Sequence, residues 1–365
     1  MNHNYQKDIS GCGVIGIINK KGKRFAGDII KKGMCIMNDR GNGLGSGFAA
    51  YGIYPDYKEC YALHVMYHND SSFDTAEKYI NKNYKLEKKE EIPISKIKEI
   101  GPAPHLLRYF VTPNRRKADN ELQELPDDDF VVKTVMKINS ESGGGYVFSS
   151  GKNMGTFKGV GYPKDIADFF QIERYEGYLW TSHNRFPTNT PGWWGGAHPL
   201  TLLDWSIIHN GEISSYGINK RYLEMFGYKL TLLTDTEVVA YLLDLLVRRH
   251  GMSIKLACLV LAVPFWKDID ALNGNEKKAL TAIRQVYGSA LLNGPFAFIL
   301  GHTRGMVGLN DRVKLRPLVA GLKDDFAYMA SEESAIREVC PNPEKVWAPK
   351  AGDPLIFSLD EEVYV

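Results

Sequence analysis

The run Gly11-Cys12-Gly13-Val14-Ile15-Gly16-Ile17-Ile18 decides how this chain is read. It is a short apolar stretch between glycines, which predicts a buried strand with a cysteine at its head. The flanking glycines leave the thiol sterically open. A cysteine that opens a strand is by itself an ordinary core residue, so its meaning depends on what the rest of the chain brings to it. Just downstream, Ala26 to Met37 has helical spacing and is ended by Asp39-Arg40-Gly41. Gly43 to Gly52 is a glycine-rich strand or turn, where small residues imply close backbone approach.

Three further stretches carry chemistry. In His183-Asn184-Arg185-Phe186-Pro187-Thr188-Asn189-Thr190 a strand, Tyr178 to Arg185, runs into a polar loop with one arginine. A guanidinium there can clamp a carboxylate through two parallel hydrogen bonds; a surface arginine is the plain alternative. The strand Trp205 to His209 ends in His209-Asn210-Gly211-Glu212. The Asn210 amide and the Gly211 N–H supply two donors for an oxyanion, although Asn-Gly is also a common turn. Thr234-Asp235-Thr236-Glu237 opens a helix predicted over Asp235 to Arg249. Asp235 is either a helix cap or the ligand of a substrate ammonium. Together the four stretches form a kit for cutting an amide on a free amino acid.

The intervening segment, about Cys60 to Ser142, differs in composition. A Lys/Glu-rich part (Lys78 to Lys98) and an acidic part (Asp119 to Asp129) read as solvated faces. Strands are predicted at His105 to Val111 and Phe130 to Ile138, so the segment reads as an inserted α+β piece. After it come a helix at Ser253 to Val263 and strands at Phe296 to His302, Met306 to Leu309, Pro317 to Ala320, Ala327 to Ala330 and Pro354 to Ser358.

Bulk properties narrow the function classes. The chain has 365 residues, is 44% hydrophobic and carries a net charge of +2. Basic residues form no stripe, so nucleic acid is not the expected partner. No apolar run reaches the roughly 18 residues of a membrane span, and the polar N-terminus has no secretory core. Five scattered cysteines without a CxxC pair argue against a disulfide framework or a metal site, and for a reducing cytoplasm.

The order Cys-Gly, Arg-Phe-x-Thr, His-Asn-Gly, Asp-Thr-Glu resembles the class II glutamine amidotransferases, which are N-terminal-nucleophile hydrolases. Within them, RFPTNT, HNGEI, TDTEVVAYLL, Asp311-Arg312, Leu315-Arg316-Pro317 and Ala330-Ser331-Glu332 look most like the glutaminase domain of glutamate synthase. The glucosamine-phosphate synthase branch would place a His at Asn189. The resemblance covers roughly Cys12 to Gly52 and Gly143 to Ser358. The chain departs from it at Asn38-Asp39, Ser214-Ser215 and Pro191-Gly192-Trp193-Trp194.

The resemblance implies an α+β fold, a four-layer αββα sandwich, over residues 12–365, with 60–142 as an elaboration and 1–11 as a propeptide. It implies Cys12 as nucleophile, Asn210 and Gly211 as oxyanion donors, and Arg185, Thr188, His209 and Asp235 around L-glutamine. No metal and no cofactor is expected in this chain. FMN and an iron–sulfur cluster are expected on a separate glutamate-synthase-type subunit that would receive the ammonia, because no flavin, phosphoribosyl or sugar-isomerase region follows. Other readings are an N-terminal-cysteine acylase acting on another amide, and a non-catalytic glutamine-binding or scaffold subunit.

Overall fold

A computed structural model describes residues 11–187 and 190–359. Strand Gly13–Asn19 is buried along its whole length because it is the middle strand of a seven-stranded antiparallel sheet. Leu179–Asn184 pairs with it on one side and Phe326–Ala330 on the other. Beyond these lie Ser46–Tyr51 and Met154–Gly159 at one edge, and Val319–Lys323 and Lys345–Trp347 at the other. Side chains alternate across the strand. Ile15 and Ile17 join a core beneath helices Asp28–Cys35, Pro163–Phe169 and Glu333–Val339. Val14 and Ile18 face a second sheet.

That second sheet has five antiparallel strands, in the order Leu200–Leu202, Trp205–Gly211, Phe296–His302, Gly305–Asn310 and Leu355–Ser358. Ile208, Ile299, Met306 and Met329 fill the space between the sheets. Gly16 lets the sheets approach: a Cβ there would lie 2.9 Å from Sδ of Met306 and 3.2 Å from Cγ2 of Ile299. Helix Glu237–Leu243, buried at every position, covers the far face of the five-stranded sheet. The layers therefore run helix, sheet, sheet, helix, as the sequence implied.

Segment 60–142 builds most of a four-stranded sheet, in the order Tyr84–Glu91, His105–Pro113, Tyr61–Tyr67 and Gly145–Ser149. Its core is continuous with that of the main body. Leu63, Val65, Phe130 and Val135 cluster with Val239, Leu242 and Phe298. Tyr84–Glu91 is a solvated charged edge, the kind of edge that resists pairing with other chains.

One predicted element is wrong. Phe130 to Ile138 is not a strand but part of helix Asp127–Glu141. Its run of β-branched residues suggests a strand, but Phe130, Val131, Thr134, Val135 and Ile138 are buried while Lys133 and Lys137 form an i,i+4 solvent stripe. Asp127, Asp128 and Asp129 occupy the first turn, where the helix dipole favours negative charge. The helix predicted over Asp235 to Arg249 exists, but its second half, Asp244–Arg249, is a π-helix. Among the described residues no helix is long and apolar enough to cross a membrane, and all five cysteines are free.

Candidate functional site

Cys12 stands where the central strand begins. The register places Gly13 opposite Asn184, so Arg185 and Phe186 arrive beside the thiol. Sγ of Cys12 accepts a hydrogen bond from the Phe186 N–H at 3.3 Å. The Cys12 carbonyl accepts one from Nε of Arg40 at 3.2 Å, and Nη1 of Arg40 pairs with Glu332 at 2.6 Å. Burial pushes the Cys12 thiol up from its ordinary range, opposed by the Phe186 N–H and the Arg185 charge. With its pKa raised, the thiol holds its proton and needs a base to act as a nucleophile.

Arg185 is 3% exposed. Nη2 donates to Oγ1 of Thr190 at 2.6 Å and Nη1 to the Pro191 carbonyl at 3.2 Å. Among the described residues no carboxylate pairs with it. Burial weakens its hold on the proton, while the nearby Cys12 and Asp235 work the other way. A buried guanidinium without a counter-ion is costly and suited to a carboxylate brought by a ligand.

Asp235 does not cap the helix that follows it. Oδ2 takes the Ile213 N–H at 2.8 Å, and Oδ1 takes the hydroxyls of Thr236 at 3.3 Å and Thr234 at 3.5 Å. His209 lies against this carboxylate, its Nδ1 4.0 Å from Oδ1 and 2.9 Å from Oγ1 of Thr236. Nε2 of His209 has no partner among the described residues, and burial holds the ring neutral by lowering its pKa.

Asn210 and Gly211 end their strand beside Cys12. Nδ2 of Asn210 is buried without a partner among the described residues, an unused donor. Gly211 has φ +141, and a Cβ on it would lie 2.0 Å from the Pro295 carbonyl oxygen. No other residue fits there.

Cys12, Arg185, His209, Gly211 and Asp235 line one cavity of about 660 Å³. Asn210 does not line it; its amide lies next to Gly11, with Oδ1 3.7 Å from the Cβ position of that residue. Thr188 lies outside the described residues, as do residues 1–10 of the predicted propeptide. A larger cleft, about 780 Å³, opens elsewhere beside Asp127, Arg115 and Arg248. Its charges pair with one another, Arg115 with Asp127 and Arg248 with Asp129, and its lining includes no cysteine, serine or threonine.

The structure adds residues that the sequence reading did not single out. Arg40 fixes the Cys12 carbonyl; its only signal in the sequence was the Arg-Gly pair that ends a helix. Thr190 and Pro191 position Arg185. His198 lines the cavity, its Nε2 3.4 Å from Oγ1 of Thr234, and stacks on His183 with centroids 4.2 Å apart. Trp193 donates from Nε1 to the Leu232 carbonyl at 3.2 Å, tying the loop after Arg185 to the loop before Asp235.

Known proteins resemble this chain in sequence. An uncharacterized protein of Archaeoglobus fulgidus is 50% identical over 97% of this chain and 93% of its own length. The glutamine amidotransferase-like protein GlxB of Rhizobium meliloti is 26% identical over 56% of this chain, which spans 59% of that relative. Among solved structures, the glutamine phosphoribosylpyrophosphate amidotransferase from B. subtilis aligns with a TM-score of 0.47 at 17% identity, covering 95% of this chain and 47% of that one. The sequence model of the class-II glutamine amidotransferases matches residues 89–348. That span contains Arg185, Asn210, Gly211 and Asp235 and starts after Cys12, whose place in the site rests on geometry. With well over half of its length matched, the chain belongs to the class-II glutamine amidotransferases.

Proposed function

We propose that this chain is a glutaminase that hydrolyses L-glutamine to glutamate and ammonia, and that it passes the ammonia to a separate FMN-bearing subunit of glutamate-synthase type. The observation that carries the first half is the convergence of the Cys12 thiol, the unpaired Arg185 guanidinium and the Asp235 carboxylate on one cavity. Both ends of a free amino acid have an opposite charge waiting for them. The strings RFPTNT, HNGEI and TDTEVVAYLL support the second half. FMN and an iron–sulfur cluster would sit on that partner, which would aminate 2-oxoglutarate in a reducing cytoplasm.

In this mechanism, water first cleaves the Gly11–Cys12 peptide, leaving a carboxylate on Gly11 and an α-amino group on Cys12. That amine, with an ordinary pKa of about 7.7–8.0, takes the thiol proton, so one residue is both base and nucleophile. Arg185 holds the glutamine carboxylate, a role in which the family resemblance also places Thr188, and Asp235 holds the ammonium, steadied by His209. The sulfur adds to the side-chain carbonyl carbon. The Asn210 amide and the Gly211 N–H stabilise the oxyanion. The protonated amine gives its proton to the departing nitrogen, and ammonia leaves. Water then hydrolyses the thioester, giving glutamate and the free thiol.

The test is glutamate release from glutamine by the purified protein, alone and with an FMN-bearing synthase subunit. Wild-type turnover and none in Cys12→Ala is the expected result. Equal turnover in both would contradict the mechanism.

A further inference from the structure

The residue before the nucleophile is crowded by positive charge. A Cβ built on Gly11 would lie 3.6 Å from Nη1 of Arg316 and 3.6 Å from Nη2 of Arg40. Arg40 is committed to the Cys12 carbonyl and to Glu332. Arg316 is not. Its Nε is buried without a hydrogen-bond partner, and among the described residues it joins no ion pair. The backbone that delivers it is fixed. Nδ2 of Asn310 donates to the Arg316 carbonyl at 2.7 Å, and the buried carboxylate of Asp311 takes the N–H groups of Val313 at 3.0 Å and Leu315 at 2.9 Å. A rigid loop thus holds an uncommitted guanidinium beside the Gly11–Cys12 junction.

We propose that Arg316 is a positioning residue for the base of the reaction, its guanidinium keeping the newly released α-amino group of Cys12 uncharged and able to accept the thiol proton. This rests on the reading of Cys12 as a processed nucleophile. An amine is a base only while neutral, and a neighbouring cation disfavours its ammonium form. The charged groups around it are Arg40, Arg185 and Arg316 on one side of the balance, and Asp235, Glu332 and Glu212, which lines the same cavity, on the other. Glu332 is already paired with Arg40, and Asp235 is ringed by its own donors. His209, also near, is kept neutral by burial. Among the described residues, Arg316 is the cation of this group that makes no ion pair and no side-chain hydrogen bond. It also favours the thiolate that forms when the proton moves.

The experiment uses the full chain with Arg316→Met, Arg316→Gln as a second neutral variant, and Arg316→Lys. Intact mass is measured first. Then kcat/KM for glutamine and the rate of Cys12 alkylation by iodoacetamide are followed against pH. The neutral variants should move the acid limb of both profiles upward by about one pH unit, the low end of what a charge at 4–6 Å does. Arg316→Lys should restore the wild-type limb, and KM should change little. An unmoved limb in processed neutral variants would overturn the role of Arg316 and leave the glutaminase reading standing. A limb displaced equally in the Lys variant, or loss of cleavage in all three, would also overturn it by assigning Arg316 to local folding. A wild-type chain that is never cut, yet active, would remove the parent reading instead.

Discussion

The backbone N–H of Phe186 points at the sulfur of Cys12 from 3.3 Å, and Phe186 directly follows Arg185. Cys12 and Arg185, the proposed nucleophile and carboxylate clamp, therefore stand at the end of one antiparallel strand pair, Gly13 opposite Asn184. A one-residue slip would turn every side chain of the strand to the wrong face, and burial on both faces prevents it. Cys12 and Arg185 are held in place because each adjoins one of the most buried strands of the fold.

Arg185 separates function from stability. Its charge is buried and no described carboxylate balances it. Arg185→Met should raise KM for glutamine by roughly 150- to 5,000-fold, corresponding to about 3–5 kcal/mol for losing one partner of a desolvated pair. The same variant should melt no lower than wild type without glutamine. Steady-state kinetics and thermal unfolding together check this; an unchanged KM would remove Arg185 from the site.

Asn210 offers a donor that no described residue uses. Asn210→Ala should lower kcat by about 10²–10³, or 2.7–4 kcal/mol, with a small effect on KM, because the donor is engaged mainly in the transition state. A variant that lost KM and kept kcat would assign Asn210 to substrate binding.

Gly211 cannot accept a side chain without displacing the Pro295 carbonyl. Gly211→Ala should cost stability, about 1–3 kcal/mol from overpacking, and should lower kcat by shifting the adjoining Asn210. Urea unfolding and glutamine turnover measure the two effects; a variant unchanged in both would show that the strand end has room.

Glu237 predicts a pH dependence. It is fully buried, accepts the N–H groups of Thr231 and Leu232 and the Tyr241 hydroxyl, and is pushed up to about 7 by burial. Its folded pKa lies above the unfolded value of about 4.3. Its contribution is therefore fully present below that value and is lost as pH rises through about 7. Wild type should lose stability relative to Glu237→Gln between these limits, by an amount on the order of a few kcal/mol. Urea titrations at pH 4.5 and 7.5 test this; equal pH slopes would contradict it. Lys158, lowered to about 7 by the same burial, acts in the opposite sense and over the window above 7.

Much of the site was legible because residue type carries the chemistry. Cys12, Arg185, Gly211 and Asp235 sit in short runs whose order names the reaction, and the structure places all four on one cavity. The strands around them were legible from apolar runs between turn residues. Phe130 to Ile138 was misread because a β-branched run resembles a strand until the i,i+4 lysines are given weight. Arg40, His198 and Arg316 could not be located from sequence. Each acts through tertiary placement, reaching Cys12, Thr234 or Gly11 from a distant segment, and no local spacing encodes that.

The central claim is that Cys12 acts with its own free α-amino group. Intact mass of the active, purified enzyme tests it most directly. The account predicts a chain lacking residues 1–11, with Cys12 at its N-terminus. A fully active enzyme that kept those residues, or lacked only Met1, would contradict it.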